Sequence, residues 1–405
     1  MAGNKKEAWQ AIAAIFLTSQ CITLFGSTLV QMAVVWYATM ETASGAWVAA
    51  FTVCAYVPQF LFSLPGGAWA DRYSRKALII GADAAIAAMT LAMVFMLPLY
   101  TAQRARLVAL LGMSTLRAIG ARIQTPAVNA VLPGLVPPKQ RMRYNGINAA
   151  MQAAVQFAAP AVAAAVFSLG TLASTLLIDV ATAAVGIALF APMRLPQPIP
   201  GSSSAPAGIK AGIRYALKNR RIARWLLLHG LFTFLCVPAG FLSGLFVRRT
   251  FGDTYWHLTA AEVAGFAGMA AGGAAMSCLG KRAGGAAVLP YALAAFGTFA
   301  VAMAAAQGFA LYIALMFGYG AALSAAQASL TTLLQQEAEE SMQGRVFGLA
   351  GALYAAFLPA GMAAFGPLCD AVPLRALMAF SGGALFLLAA FAFAAARLPS
   401  CRPGQ

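Results

Sequence analysis

Four ionisable residues lie inside long apolar segments of the sequence, where a charge is costly unless it meets water or a partner. They are Asp83, Arg117, Arg122 and Asp179. A carboxylate in such surroundings can exchange a proton, because desolvation favours its neutral form and a nearby arginine favours its charged form. Structural pairing explains the same residues equally well, and Asp83 and Arg122 fall at similar depth in neighbouring antiparallel segments. The pattern therefore indicates either proton transfer through Asp83 or Asp179, or fixed ion pairs.

The segments that hold these charges are too apolar for a soluble protein. Of the 405 residues, 61% are hydrophobic and 9% are charged, against roughly 25% charged in an average soluble domain. Lipid-exposed backbone must satisfy its own hydrogen bonds, so we predict helices and an all-α membrane protein. Apolar runs long enough to span a bilayer occur near 10–39, 46–69, 77–99, 105–132, 145–169, 171–193, 222–250, 259–280, 286–305, 307–335, 346–368 and 374–396.

The basic residues indicate how these helices are oriented. The formal net charge is +16, but Lys and Arg are spread between the apolar runs and form no nucleic-acid-binding motif. In a twelve-span arrangement, twenty of them lie on the side of both termini and five on the opposite side. The positive-inside rule therefore predicts that both termini lie in the cytoplasm. The expected location is the bacterial inner membrane, which the protein would cross many times.

A break in hydropathy divides the chain into two halves. The stretch PQPIPGSSSAPAG has the composition of a flexible linker. We predict an N-terminal six-helix half over 1–195, a cytoplasmic linker over 196–221 and a C-terminal six-helix half over 222–405. Basic residues at helical spacing in the linker favour an amphipathic helix on the anionic inner leaflet, and a solvated basic loop is the alternative.

The loop after the second span carries the spacing G-x-x-x-D-R-x-x-R-K, in Gly67, Asp71, Arg72, Arg75 and Lys76. This spacing resembles the signature loop of the major facilitator superfamily. The stretches LFGSTLVQMAVVWYAT, RAIGARIQTPAVNAVLPGLVP and MQGRVFGLAGALYAAFLP are similar to those of its macrolide-efflux (Mef) members. The resemblance implies a major facilitator fold, with twelve transmembrane helices in two six-helix halves. It also implies export of macrolide-like or other amphipathic compounds in exchange for protons.

The signature loop is expected to act as a conformational latch. By the same resemblance, Asp71 would face the start of the eleventh helix near Gly344 and Arg345. Its carboxylate could meet cations or the positive end of that helix, while Gly67 would allow close helix contact. The loop after the eighth span reads GKRAGG and lacks the Asp-Arg pair, so the latch would be asymmetric. A positive-inside anchor without a latch function is the alternative.

Polar or aromatic residues within the spans are candidates for a substrate cavity, because transporters of this type bind their cargo near the midplane. Each candidate could instead bond a neighbouring helix. Cavity walls with few charges suit a large amphipathic molecule better than a sugar or an ion. The candidates are Gln20, Gln31, Gln152, Gln156, Phe232 and Gln327.

Other classes of function find little support in the sequence. No nucleotide-binding loop, metal-ligand cluster or nucleophile motif occurs, so we expect no cofactor, no metal and no enzymatic activity. The expected partners are an amphipathic small molecule, protons and the lipid bilayer, with the chain acting as a monomer. A lysophospholipid or siderophore transporter is the nearest alternative, and a channel or a membrane sensor is a more distant one. The spacing from Thr259 to Glu262 predicts a helix capping box.

Overall fold

The computed structural model describes residues 2–137, 140–193, 214–215, 218–279, 285–339 and 342–397. Over these residues the chain is helical and contains no strand. The seventh helix consists of two segments joined by a π-helical turn at Val237–Phe241. The helices are α1 Ala2–Thr42, α2 Gly45–Arg72, α3 Arg75–Met96, α4 Gln103–Leu135, α5 Arg141–Leu169, α6 Leu172–Phe190, α7 Arg220–Leu235 with Ser243–Phe251, α8 Tyr255–Leu279, α9 Gly285–Ala305, α10 Phe309–Glu337, α11 Gln343–Ala371 and α12 Leu374–Arg397.

Most of these helices have the length and composition of membrane spans. Within the described residues, nine qualify, namely α1, α3, α5, α6, α7, α9, α10, α11 and α12. Helix α2 adds a shorter apolar stretch, Gly45–Pro58, and α4 carries several arginines along its length. The all-α class predicted from the sequence is confirmed, and the twelve helices given above, which lie in the described part of the chain, follow the twelve predicted apolar runs.

The chain forms two compact units. The first comprises Met1–Thr42 and Ala50–Ser203, and the second comprises Ala43–Ala49 and Ser204–Gln405. Most of the predicted linker over 196–221 lies outside the described residues, so its boundaries and its amphipathic helix stay predictions.

The first unit is built around close contact between α1 and α6. Glycines permit this contact, because a Cβ at Gly26 would overlap the Thr182 hydroxyl and one at Gly186 would overlap the Thr23 side chain. Helix α3 packs against both α4 and α6. Polar side chains on α3, α4 and α6 are therefore held within one small volume.

The second unit has an even closer helix pair, α8 with α10. A Cβ at Gly268 would overlap the Phe317 carbonyl oxygen, and a Cβ at Gly320 would overlap the Gly265 carbonyl oxygen. Small residues let two backbones approach in this way, which is how helices associate in lipid. Helices α9 and α12 make a similar contact through Gly297 and Gly382.

Replacing Gly268 with Ala is expected to destabilise the second unit. The added methyl would meet backbone, which cannot move aside as a flexible side chain can, so the cost should be about 1–3 kcal/mol. The measurement is thermal unfolding of the purified protein in detergent. Gly112→Ala in α4 is the matched control, because nothing lies within 4 Å of its added methyl. Equal melting temperatures for the two variants would contradict this account of the α8–α10 contact.

The predicted capping box at Thr259 is wrong. Helix α8 already begins at Tyr255, and the Thr259 hydroxyl donates to the Tyr255 carbonyl oxygen at 3.1 Å. Thr259 is thus an internal helical residue, and Glu262 lies about two turns into α8 instead of at its third position.

Candidate functional site

A cluster of buried polar side chains lies inside the first unit. Its charged members are Asp83 on α3, Arg117 on α4 and Asp179 on α6, which are 8%, 8% and 2% exposed. Ile79 and Ile86, one turn before and about one turn after Asp83 on α3, are also buried. We define these three residues as the charged cluster.

Arg117 and Asp179 form a two-pronged ion pair. One guanidinium nitrogen of Arg117 bonds Asp179 Oδ2, and the other donates to Oδ1 at 3.2 Å. The guanidinium also donates to the Thr90 hydroxyl, and it lies 3.5 Å from the Ser27 hydroxyl. Both charges are therefore compensated, and hydroxyl groups satisfy further donors of the arginine.

Asp83 has a different environment. Its Oδ1 accepts a hydrogen bond of 2.8 Å from Gln124 Nε2. Within the described residues, no arginine or lysine forms an ion pair with it. The carboxyl group is thus buried beside a neutral amide, whereas the Asp179 carboxylate is held by a cation.

The Asp83–Arg122 pair that the sequence allowed is not formed. Arg122 is two residues before Gln124, which is about 200° around the helix. Its side chain therefore lies on a different face of α4 from that of Gln124, which bonds Asp83. Its Nε is buried without a hydrogen-bond partner in the described part of the chain.

A seven-residue spacing on each of two antiparallel helices explains the contacts that do form. Seven residues make about two helical turns, so residues at that spacing share a face. Asp83 on α3 meets Gln124 on α4, and Thr90, seven residues later, meets Arg117, seven residues earlier. Between these two contacts, the Ile86 side chain packs against Gly120, where a Cβ would lie only 2.9 Å from Ile86 Cγ1. Sequence analysis missed Gln124 and Thr90, although this spacing was available to it.

The residues of the predicted latch are only partly described. The side-chain positions of Gly67, Asp71, Arg72 and Gly344 lie outside the described part of the structure. Lys76 donates to the Ala191 carbonyl oxygen just after α6, so it ties α3 to α6 within the first unit. Arg75 is half-buried. Arg345 is exposed and lies 3.1 Å from the Met342 sulfur. The latch therefore stays a prediction.

The substrate-cavity candidates differ in their accessibility. Gln31, Gln152, Gln156 and Gln327 are exposed on their own units and Gln20 is half-buried. Phe232 is 2% exposed and its ring centroid lies 5.1 Å from that of Phe296. Phe232 is thus part of the core of the second unit and is not available to a ligand. The prediction was wrong because the sequence does not reveal which face of α7 packs inward.

The chain belongs to the Major Facilitator Superfamily, which it matches over residues 16–361. Membership in this family of transporters agrees with the helical fold and with a charged cluster buried inside a unit made of membrane helices. The membership of this family that the resemblance predicted is thereby confirmed.

Within this class, the chain is similar to curated efflux proteins. It is 25% identical over 397 residues to Macrolide efflux protein A of Streptococcus pyogenes, which covers 95% of this chain and 96% of that protein. It is 26% identical over 328 residues to Macrolide efflux protein A of Enterococcus faecalis, covering 78% and 99% of the two chains.

Solved structures support the fold. A bacterial homologue of the iron transporter ferroportin in an inward-facing state superposes with a TM-score of 0.76 at 16% identity, over 96% of this chain and 99% of that one. A bacterial homologue of the human lysosomal transporter Spinster, also inward-facing, gives a TM-score of 0.75 at 16% identity, over 96% and 97%. At these identities the likeness concerns the fold alone, which is the twelve-helix major facilitator fold.

Proposed function

We propose that this protein is a secondary active exporter of amphipathic small molecules, such as macrolide-like drugs or related metabolites, and that it works by proton exchange and alternating access. The observation that carries the proposal is the carboxyl group of Asp83, which is buried in a membrane-embedded unit and bonded to a neutral amide. Intramembrane ionisable residues are costly, and they commonly belong to ion or proton pathways.

Gln124 suits a carboxyl group that gains and loses a proton. An amide side chain carries both donors and an acceptor. Its N–H group donates to the ionised carboxylate, as in the described hydrogen bond. After rotation its carbonyl oxygen could accept the proton of the neutral acid. The pair thus offers a hydrogen bond to either form, whereas an arginine would stabilise only the ionised form.

Asp179 is assigned a structural role by the same reasoning. The Arg117 guanidinium bonds both of its carboxylate oxygens. Protonation of that carboxylate would leave the buried Arg117 cation without a compensating charge. The ion pair therefore fixes α4 against α6, and proton exchange is assigned to Asp83.

The proposed cargo follows from the relatives and from composition. Two curated relatives carry the name macrolide efflux protein. Only 9% of the residues are charged, so the walls of a cargo cavity would be largely apolar. Side chains such as Gln31, Gln152 and Gln327 would provide hydrogen bonds on these walls. Such a surface suits a large molecule with few charges. The proposed location is the bacterial inner membrane with both termini in the cytoplasm, which the distribution of Lys and Arg supports.

The test is transport by the purified protein in liposomes. An imposed proton gradient should drive saturable uptake of a labelled macrolide into inside-out vesicles, and an uncoupler should abolish that uptake. Carrier behaviour is checked by counterflow, in which unlabelled macrolide inside the vesicle accelerates entry of the labelled compound.

Three outcomes would redirect the proposal. Uptake that does not saturate would indicate a channel. Saturable uptake that ignores the uncoupler would remove proton coupling. No uptake by a protein that remains folded and monodisperse would exclude macrolides, and a labelled lysophospholipid or siderophore would then be tested in the same vesicles.

A further inference from the structure

Glu262 is an acidic residue of the second unit that the functions assigned above do not use. It lies about two turns into the apolar helix α8 and is half-buried. Among the residues that the structure describes, no cation forms an ion pair with its carboxyl group. An ionisable group at membrane depth is costly without a partner, and such residues commonly mark functional sites. Glu262 therefore requires a partner that the described part of the chain does not supply.

The close packing of α8 against α10 determines which residue Glu262 faces. A Cβ at Gly265 would lie 3.3 Å from the Met316 side chain, so these two residues are neighbours across the contact. The contacts between glycines of α8 and residues of α10 follow the same order along both helices, so the helices run parallel here. One turn earlier on each helix lie Glu262 and Tyr312, and the carboxyl group is close enough to the phenol to interact with it electrostatically.

The hydroxyl of Tyr312 also lacks a partner. Tyr312 is 0% exposed, and its hydroxyl group makes no hydrogen bond within the described residues. Burial of an unbonded hydroxyl is costly, whereas a phenol forms a strong hydrogen bond when it donates to an ionised carboxylate. This hydroxyl is therefore suited to hold the Glu262 carboxylate when that group carries its charge.

Aromatic rings surround Tyr312. Its ring centroid lies 5.3 Å from that of Phe246 and 5.4 Å from that of Phe251, both in the second segment of α7. Phe309, one turn before Tyr312 on α10, lies 5.4 Å from Phe251. We call these four residues the aromatic cluster. The face of an aromatic ring attracts cations, and the Arg375 guanidinium lies 6.0 Å from the Phe246 centroid. The aromatic cluster thus combines an apolar surface with tolerance of a positive charge.

The arginines near the aromatic cluster have partners of their own. Arg248 and Arg249 form ion pairs with aspartates, at 3.9 and 2.6 Å. The Arg375 guanidinium donates to the Ala306 carbonyl oxygen at 3.5 Å. These described cations are thus engaged elsewhere, and a bound ligand can supply the positive charge that Glu262 lacks.

We propose that Glu262 and Tyr312 form a cation-recognition site in the second unit, which binds a protonated amine of the cargo. The ammonium group donates to the Glu262 carboxylate, and the Tyr312 hydroxyl positions that carboxylate by donating to its other oxygen. The aromatic cluster packs against the alkyl groups of the amine. This inference rests on the proposed export of amphipathic molecules, and it narrows the cargo to amphipathic molecules that carry a basic nitrogen.

The test compares two labelled macrolides that differ in charge. One carries a tertiary amine, and the other is its N-demethyl-N-acetyl derivative, in which an amide replaces the amine. Equilibrium binding to the purified full-length protein is measured in detergent at neutral pH, so neither transport nor a proton gradient is required. The wild-type protein should bind the amine on the order of tenfold more tightly, because a hydrogen bond to a charged group is stronger than one to a neutral group.

Two variants that preserve side-chain shape test the two residues. Glu262→Gln should remove the preference for the amine and leave the affinity for the amide unchanged. Tyr312→Phe should weaken binding of the amine alone by roughly threefold, because the carboxylate would lose its positioning hydrogen bond. Asp253→Asn is the matched control, since it removes a negative charge from a side chain that is 77% exposed just before α8. This control should retain the preference.

Two results would overturn the cation-recognition site. Equal affinity of the wild-type protein for both macrolides would show that the amine is not recognised. A Glu262→Gln variant that still prefers the amine would show that another group recognises it, and Glu262 would then bind at most a proton.

Tetraphenylphosphonium, a lipophilic cation unrelated to macrolides, separates this inference from the proposed function. If neither macrolide binds, but tetraphenylphosphonium binds to the wild-type protein more tightly than to Glu262→Gln, the cation-recognition site stands and the macrolide assignment falls. If Glu262→Gln changes the binding of neither cation, the cation-recognition site is overturned, whatever the protein transports.

Discussion

Asp83→Asn is expected to abolish proton-driven efflux while leaving the protein folded. Asparagine has nearly the shape of aspartate and keeps an oxygen that can accept the hydrogen bond from Gln124, but it cannot take up or release a proton. Uptake driven by a proton gradient should fall below roughly a tenth of the wild-type rate, because the pathway would lose its titrating group. The measurement is macrolide uptake into inside-out proteoliposomes with an imposed gradient.

Counterflow supplies the internal control for this prediction. Exchange of labelled for unlabelled macrolide needs the carrier to change state but needs no net proton movement, so Asp83→Asn should retain it. Loss of both activities would assign Asp83 a structural role. Gradient-driven uptake at the wild-type rate would remove Asp83 from the proton pathway altogether.

The helices could be predicted from the sequence because the bilayer imposes a simple rule on the chain. Spans need an apolar run of sufficient length and must be helical, and the runs at 77–99 and 374–396 correspond to α3 and α12. The buried charges could be identified for the same reason, since an ionisable residue stands out in an apolar run. Hydropathy thus determines how deep a residue lies.

Hydropathy does not determine which way a residue points, and this explains the errors. Asp83 and Arg122 lie at compatible depths, but Gln124 occupies the face of α4 that meets α3. Phe232 was assigned to a cavity on its residue type, yet its face of α7 packs against Phe296. The rotation of a helix about its own axis is decided by packing with its neighbours, and no local pattern in the sequence records it.

The contact between Asp370 and the first turn of α2 was missed for a second reason. Asp370 and Gly45 are 325 positions apart in the chain, so neither segment signals the other. Ser44 and Gly45 have the composition of an ordinary helix start, and Asp370 that of an ordinary helix end. Only the fold brings them together, because α11 supplies a carboxylate that accepts hydrogen bonds from the first amides of α2.

Arg117→Gln is expected to destabilise the first unit severely. It removes the guanidinium that bonds both oxygens of Asp179 and leaves a carboxylate that is only 2% exposed without its cation. Breaking one side of a buried ion pair typically costs about 3–5 kcal/mol. The variant should show a large drop in thermal stability in detergent and a lower yield in the membrane.

The double variant Arg117→Gln with Asp179→Asn separates the penalty of an unpaired charge from the contribution of the pair itself. Both members are then neutral, their amides can bond each other, and the Thr90 hydroxyl remains as a further partner. Replacing a buried pair as a whole is often close to neutral in stability, so the double variant should recover most of the loss. If it were as unstable as Arg117→Gln alone, the defect would come from lost packing of the arginine side chain. If it were stable and still transported macrolide against a gradient, Asp179 would be excluded as the proton carrier and the assignment to Asp83 would be strengthened.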